Sequence, residues 1–341
     1  MSSALNTALT RYLPAIETEL RDLLASVGPP YTDYYGMLHY HMGWLDAELR
    51  PTQGQAGKRV RPVLCLLACE AAGGVLEQAL PVAVGIETLH NFSLLHDDIE
   101  DNSDTRRGRP TVWKLWGQPQ AINAGDGMFV LAHLAFARLP ARGVPVERAF
   151  AALRTFDQTC LKLTQGQYLD IRYEDRLDVT VEDYMTMISG KTAALIATST
   201  YLGAFLAGAD ETTAGHYRGF GHHLGLAFQV QDDILGIWGD AAVTGKSDSS
   251  DIETRKKTLP VVFGLERSPA LRQLYASDQI TPHQVEAVAQ ILDELGAREM
   301  AEALATKHHR KAMEALMRSG ADGEAGQALK ELATSLLKRV S

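Results

Sequence analysis

Apolar residues recur every three or four positions along most of this chain. Leu5, Leu9, Leu13, Ile16 and Leu20 would line one face of a helix over Ala4–Val27, and Gly28-Pro29-Pro30 would stop it. The same spacing predicts helices over about Tyr34–Leu49, ended by Pro51, then Arg61–Gly73, Gln78–Asp101, Pro119–Ala137, Pro145–Arg172, Thr180–Ala207 and Thr212–Gly239. A loop of Asn, Ser, Asp, Arg and Gly follows Asp101. A polar loop covers 240–256, and more charged helices run from there to the end. No strand alternation, short repeat, low-complexity run or dividing linker interrupts the pattern. It predicts an all-α protein, one domain over residues 1–341, built as a bundle of about ten or more helices.

Two of the apolar helical runs end in acid. Leu94-Leu95-His96-Asp97-Asp98-Ile99 is echoed by Gln229-Val230-Gln231-Asp232-Asp233-Ile234. In the first, Asp97 and Asp101 lie four apart, so on a helix they share a face with Cβ atoms about 5–6 Å apart. Carboxylates that close repel each other, more so beside an apolar surface. A hard divalent cation relieves the repulsion, and Mg²⁺ often takes one or two carboxylates plus substrate phosphates. If the two segments faced each other across a bundle core, they would make an oxygen-lined metal cage. Either cluster alone also fits a solvated helix end; the repetition favours the metal.

Basic residues follow the same layout. Gly57-Lys58-Arg59-Val60-Arg61-Pro62 puts cations at a helix start, where backbone N–H groups and the helix dipole already favour phosphate. Arg106-Arg107-Gly108 follows the first acidic cluster, and arginine forks suit phosphate oxygens. Gly245-Lys246 and Lys256-Lys257 follow the second, and Lys191-Thr192 sits after Gly190. Any one of these also reads as a solvated surface charge. A basic loop after each acidic cluster points to an anionic, phosphate-bearing ligand.

Composition removes several alternatives. Net charge is −9 with no long Lys/Arg run, which argues against a nucleic-acid partner held by a general basic field. Cys65, Cys69 and Cys160 are too few and too irregular for a disulfide framework and read as small core fillers. No stretch has the roughly 18 uninterrupted apolar residues of a membrane span, and the N-terminus lacks a signal-peptide pattern, so the expected location is cytoplasmic.

In order and spacing, these motifs resemble those of the trans-polyprenyl (isoprenyl) diphosphate synthases. They are Gly57-Lys58-x-x-Arg61-Pro62, Leu95-His96-Asp97-Asp98-x-x-Asp101, Arg106-Arg107-Gly108, Gly166-Gln167-x-x-Asp170, Gly190-Lys191-Thr192, Phe228-Gln229-x-x-Asp232-Asp233, and Gly245-Lys246 with Lys256-Lys257-Thr258-Leu259-Pro260. The resemblance implies the all-α isoprenoid synthase fold around a central catalytic cavity, a homodimer, and three Mg²⁺ ions. It implies that isopentenyl diphosphate is condensed with an allylic diphosphate: the allylic C–O bond ionises, the isopentenyl double bond attacks, and the departed diphosphate takes the proton. By the same resemblance Asp97, Asp101 and Asp232 bind metal, with Asp98 and Asp233 in support. Lys58, Arg61, His90 and Arg107 would hold isopentenyl diphosphate. Arg106, Lys191 and Lys256, with Lys246 nearby, would grip the allylic diphosphate. Thr192 and Gln229 would line the place where the allylic cation forms, and Asp170 would orient a basic residue or a metal-bound water. One departure stands out: family members usually close the second acidic motif with a third Asp, where this chain has Gly236.

The growing chain should run from the metals along the helix bearing Asp97. Phe92, five residues earlier, lies about 7.5 Å down the axis and could form a floor, while Ser93 leaves room. An aromatic at that position, a small residue beside it and no insertion between Asp97 and Asp101 most resemble geranylgeranyl diphosphate synthases, which implies a C20 product. C15 and C25 products remain open, as do a class I terpene cyclase and a non-catalytic partner subunit of a heteromeric synthase. Intact Asp97, Asp98, Asp101, Arg106 and Arg107 weigh against the partner subunit, and the Asp232-Asp233 pair weighs against the cyclase.

Overall fold

The computed structural model describes residues 3–52, 54, 57–239, 250–277 and 279–337. Its helices are α1 (Ala4–Leu23), α2 (Thr32–His41), α3 (Val60–Ala71), α4 (Leu76–Glu100), α5 (Val112–Trp116), α6 (Gln118–Phe136), α7 (Val146–Tyr173), α8 (Val181–Ile188), α9 (Ala194–Leu206), α10 (Glu211–Trp238), α11 (Ser250–Glu253), α12 (Leu259–Arg267), α13 (Pro269–Ala276), α14 (Pro282–Glu294), α15 (Ala297–Arg318) and α16 (Gly323–Leu337). The fold is all-α, as the periodicity predicts. Among the described residues the one sheet is a two-residue hairpin, β1 (Thr105–Arg106) against β2 (Arg109–Pro110).

Four local expectations change; one is the polar loop expected over 240–256, of which 240–249 lies outside the described residues and the rest begins with the short helix α11. The helix expected over Tyr34–Leu49 stops at His41, because Gly43 takes a left-handed φ of 83° and its N–H closes onto the Tyr40 carbonyl. The chain then folds back through a bridge between Leu45 and Pro51. The stretch Thr180–Ala207 is not one regular helix: α8 and α9 are joined by a π-helical turn over Ser189–Ala193. The loop after Asp101 contains the β1–β2 hairpin and is followed by the short helix α5, neither of which period-2 or period-3.6 patterning signals in so few residues.

Contacts divide the chain into two compact units. The first comprises Met1–Phe156, Ser199–Ala214 and Asp322–Ala328, the second Asp157–Thr198, Gly215–Ala321 and Leu329–Ser341. In the first, α4 is buried almost all round over Ala79–Leu89 and packs on α1, α3 and α6. The α4–α6 approach is close because position 85 is Gly; a Cβ there would lie 2.9 Å from the Ala132 carbonyl oxygen. Cys65 and Cys69 of α3 are buried and free, as is Cys160 of α7 in the second unit. In the second unit α12 packs on α8 and α15, and Tyr173, Tyr184, Ile188, Val230, Ile234 and Leu259 form one core cluster. A capping box of Thr180 and Asp183 sets the start of α8.

The α10–α15 contact contains a histidine pair. His223 and His308 meet through their Nδ1 atoms at 3.1 Å, and burial holds both near pKa 4, assisted at His223 by His222, at His308 by His223, and at both by Lys311. A histidine whose folded pKa lies below its unfolded value of about 6.5 resists protonation in the native state. Its stability contribution is complete above about pH 6.5 and is lost as pH falls toward 4. Thermal melts should therefore show Tm dropping across that window, with a shallower drop in His308→Gln; parallel profiles for the two proteins would contradict this.

Candidate active site

In the first unit, the first acidic motif closes α4. Asp97 is half-buried and Asp101, one turn on, is exposed; the Asp101 N–H donates to the Asp97 carbonyl at 2.8 Å, so the turn is intact. Asp98 points the other way. It is buried and accepts from Arg106 Nε at 2.7 Å, while its Oδ2 has no hydrogen-bond partner among the described residues. Burial pushes its pKa up to about 6, against the pull of Arg106.

The β1–β2 hairpin places the arginines. Its two turn residues, Arg107 (φ 53°) and Gly108 (φ 72°), both have positive φ, the geometry that matches strand twist in a two-residue hairpin. Gly108 adopts it freely, whereas Arg107 does so at a cost. Arg107 lies over Gly57, where a Cβ would come within 2.8 Å of its guanidinium. The hairpin is pinned from outside. Tyr40 donates to the Pro110 carbonyl at 2.7 Å, Arg109 donates to the Leu45 carbonyl at 2.7 Å, and the Arg109 guanidinium stacks 4.0 Å over the Tyr40 ring. A small pocket results, lined by Tyr40, His41, Asp98, Arg106, Arg107 and Arg109 among others.

Lys58 and Arg61 flank the start of α3; Lys58 is exposed and Arg61 half-buried. Between them Arg59, at φ 52°, turns inward and donates to Glu87 at 2.8 Å, both side chains being almost fully buried. Asn91 also donates to that Glu87 oxygen, at 3.2 Å. Burial, then Arg61 and Arg107, hold His90 well below its ordinary pKa, and burial with Arg107 and Arg106 lowers His41 to about 3. Both imidazoles are thus neutral in a field of guanidinium groups that favours an anion.

Phe92 begins an aromatic column. Its ring centroid lies 5.0 Å from that of Phe129 and 4.7 Å from His96, and the column continues through His133 to Phe156. The Ser93 hydroxyl folds back to donate to the His90 carbonyl at 2.9 Å.

The second unit holds the other motif. Asp232 is exposed on α10, whereas Asp233 is buried. Asp233 accepts from the Tyr184 hydroxyl, from the Leu259 N–H at 3.0 Å and from Gln229 Nε2 at 3.1 Å. Thr192 donates to Gln229 Oε1 at 2.8 Å, which fixes the orientation of the amide. Burial raises the Asp233 pKa to about 7 despite these donors. Lys191 is ion-paired with Asp170. This pairing depends on glycine against glycine: a Cβ at Gly166 would lie 2.2 Å from the Lys191 nitrogen, and one at Gly190 2.8 Å from the Lys162 carbonyl. The π-helical turn carries Lys191 and Thr192, and such turns are frequent at functional sites.

The adjacent lysines of the last motif separate. Lys257 donates to the Glu174 carbonyl at 2.9 Å, and burial lowers its pKa to about 8. Burial also opposes the charge on Lys256, but Asp251, Asp233, Asp170 and Asp232 outweigh it and raise its pKa. Lys246 lies outside the described residues.

Of the expected residues, Lys58, Arg61, His90, Asp97, Asp98, Asp101, Arg106 and Arg107 belong to the first unit, and Asp170, Lys191, Thr192, Gln229, Asp232, Asp233 and Lys256 to the second. Sequence reasoning missed Arg59, Glu87, His41 and Tyr184. The signal for Glu87 was available, as an acid inside the apolar run of α4. Among the described residues no three His, Cys, Asp or Glu side chains converge as a ready-made metal cage. The donor set still fits Mg²⁺, because one or two carboxylates with the remaining ligands from phosphate and water is the arrangement that ion prefers.

An all-helical chain with an acidic motif in each unit and arginines or lysines near it has the pattern of a helical transferase that handles diphosphates. The chain belongs to the polyprenyl synthetase family, whose model matches residues 42–295, and it is a trans-prenyltransferase. Members use a divalent metal, isopentenyl diphosphate and allylic diphosphates. The chain is 40% identical over 311 residues to a (2E,6E)-farnesyl diphosphate synthase of Mycobacterium tuberculosis, covering 89% of this chain and 85% of that one. It is 42% identical over 285 residues to a geranylgeranyl diphosphate synthase of the same organism, covering 82% and 80%. Among solved structures it matches a polyprenyl synthetase from Streptomyces coelicolor A3(2) with a TM-score of 0.88 and 38% identity, covering 98% and 99%.

Two substitutions test the geometry. Glu87→Ala should destabilise the protein by about 3 kcal/mol, because it removes the buried carboxylate that Arg59 donates to at 2.8 Å and leaves only the longer pair with Glu17 at 3.6 Å; denaturant melts measure this, and a loss below about 1 kcal/mol would contradict it. Gly166→Ala should cost about 1–3 kcal/mol and reduce turnover by displacing the Lys191 turn; an unchanged melt with full activity would contradict it.

Proposed function

We propose that this enzyme condenses isopentenyl diphosphate with allylic diphosphates head-to-tail by Mg²⁺-assisted ionisation, and that its main product is geranylgeranyl diphosphate (C20). The observation that carries the reading is the division of labour within each acidic pair. Asp98 and Asp233 are buried and held by protein donors, whereas Asp101 and Asp232 are exposed and Asp97 half-buried, which favours these three as the carboxylates that metal reaches. We assign three Mg²⁺ ions to these carboxylates and to the substrate phosphates. We also propose that residues 1–341 act as one polyprenyl synthase domain, since the family match draws on both units.

When bound, Mg²⁺ offsets the charge that grows on the leaving diphosphate. Arg106, Lys191 and Lys256, with Lys246, grip that diphosphate more strongly as its charge rises, which lowers the barrier. Lys58, Arg61, His90 and Arg107 hold isopentenyl diphosphate. The allylic C–O bond breaks, the isopentenyl double bond attacks the allylic carbon, and a proton leaves to the departed diphosphate. The paired Thr192 and Gln229 orient their dipoles beside the cation.

The C20 assignment rests on Phe92 backed by Phe129, with the small Ser93 beside it. A homodimer is supported by an exposed apolar stripe on the first unit: Ile122, Val130 and Leu134 of α6, with Val146 and Phe150 of α7. The free thiols of Cys65, Cys69 and Cys160 support a cytoplasmic location.

Asp97→Ala and Asp232→Ala should each lower kcat by at least about 100-fold with helix content unchanged. Near-normal kcat in either would sink the metal assignment. Phe92→Ala should shift products beyond C20 by mass analysis, and an unchanged distribution would remove Phe92 from the ruler.

A further inference from the structure

Four histidines lie away from the acidic motifs, His222 and His223 on α10 and His308 and His309 on α15. Two of them meet head-on, with the Nδ1 atoms of His223 and His308 3.1 Å apart. Two nitrogens at that separation, each about 2.0–2.1 Å from one Zn²⁺, would subtend roughly 95–100° at the metal, between the square-planar and tetrahedral angles. The packing around the pair is set by other residues. One turn before His223, a Cβ at Gly219 would lie 3.5 Å from the Ala315 Cβ; beyond the pair, Leu226 of α10 shares a core cluster with Ala301 and Ala305 of α15. Contacts on both sides therefore hold the rings together, which is the preorganisation a metal site needs. Burial keeps both imidazoles unprotonated near neutral pH, so no proton must leave before a cation binds. In their contact one Nδ1 donates to the other; moving that proton to the Nε2 of its own ring frees both Nδ1 lone pairs with no change in charge. The surrounding charges are mixed: Lys307 and Lys311 oppose a cation, whereas Glu314, itself held by Arg310 at 2.8 Å, favours one.

We propose that His223 and His308 form a two-imidazole clip for a transition-metal dication of the Zn²⁺, Ni²⁺ or Cu²⁺ class. Water fills the remaining positions, since among the described residues no third His, Cys, Asp or Glu converges with the pair. Imidazole nitrogen suits these ions, whereas Mg²⁺ takes oxygen donors, so the clip is chemically distinct from Asp97, Asp101 and Asp232. His223 precedes Asp232 by nine residues on α10, about 13.5 Å along the axis, so the ion sits well away from that carboxylate. Its effect is on the fold. It ties α10 to α15 and stabilises the native chain by mass action, because the unfolded chain does not hold the two rings together. With two protein ligands and two lysines nearby, the clip is weaker than a closed structural zinc site.

The test uses the full-length, untagged chain in excess Mg²⁺, with Zn²⁺ as the probe in thermal melts and Cu²⁺ as the probe in electron paramagnetic resonance. Free Zn²⁺ at about 100 times its dissociation constant should raise Tm by about 3–4 °C. His223→Gln and His308→Gln should each lose that rise and weaken Cu²⁺ binding by more than about tenfold. Both should keep Mg²⁺-dependent turnover within about twofold of the parent, because neither residue touches the reacting groups. The Cu²⁺ spectrum of the parent should show two imidazole nitrogens, and that signal should be absent from both variants. A parent Tm indifferent to Zn²⁺ would overturn the proposal. So would a rise of equal size in the variants, which places the ion on other donors, and so would a parent Cu²⁺ spectrum with fewer than two nitrogens. If either variant fails to fold, the parent's melt and spectrum decide. None of these readouts requires the condensation reaction, so the clip and the function reading fail separately.

Discussion

Negative charge gathered near the C-terminal ends of two helices is the constraint on which the rest of this site depends. α4 closes on Asp97, Asp98 and Glu100, capped by Asp101, with no basic residue in its last turn; α10 carries Asp232 and Asp233 near its end, likewise without a basic residue in its last turn. The helix dipole already makes these ends negative, so each carboxylate adds an unfavourable charge. Both units relieve it in the same way. One acid of each pair is turned inward onto fixed donors, Arg106 for Asp98, and Tyr184, Gln229 and the Leu259 N–H for Asp233. The other stays accessible, where a divalent cation bridging to phosphate can neutralise it.

Unusual backbone geometry delivers the basic residues. Arg59 and Arg107 sit at left-handed φ, the first driving its guanidinium into the buried pair with Glu87 and the second occupying the tip of a hairpin clamped by Tyr40 and Arg109. In the second unit the π-helical turn at Ser189–Ala193 lets Lys191 and Thr192 face different partners, Asp170 and Gln229. Gly166 and Gly190 are needed there because backbone meets backbone. These are local departures from regular structure at, or beside, residues we propose to hold diphosphate.

Much of this was legible in the chain. Helix periodicity located α4, α6, α7 and α10 to within a few residues, because each buries one or more faces. Asp97, Asp101 and Asp232 stand out in the chain because acids rarely end apolar helices without a counter-charge. The inward roles of Asp98 and Asp233 were less so, since they depend on partners 8 and 49 residues away in Arg106 and Tyr184. Arg59 looked like one more solvated cation beside Lys58 and Arg61; only its left-handed φ, a property of the folded backbone, reveals that it pairs with Glu87. The early end of α2 was available in Gly43 and was overlooked in favour of Pro51. Product length is the least legible feature, because it depends on how deep the aromatic column beneath Phe92 lies, and relatives at about 40% identity carry both farnesyl and geranylgeranyl names.

The most direct test of the account is a product assay on the purified chain with isopentenyl diphosphate and a C5, C10 or C15 allylic diphosphate, read by mass with Mg²⁺ and again with EDTA. The account predicts a C20 diphosphate that disappears with EDTA. Condensation that persists without metal, or no condensation from any of the three primers, would contradict it.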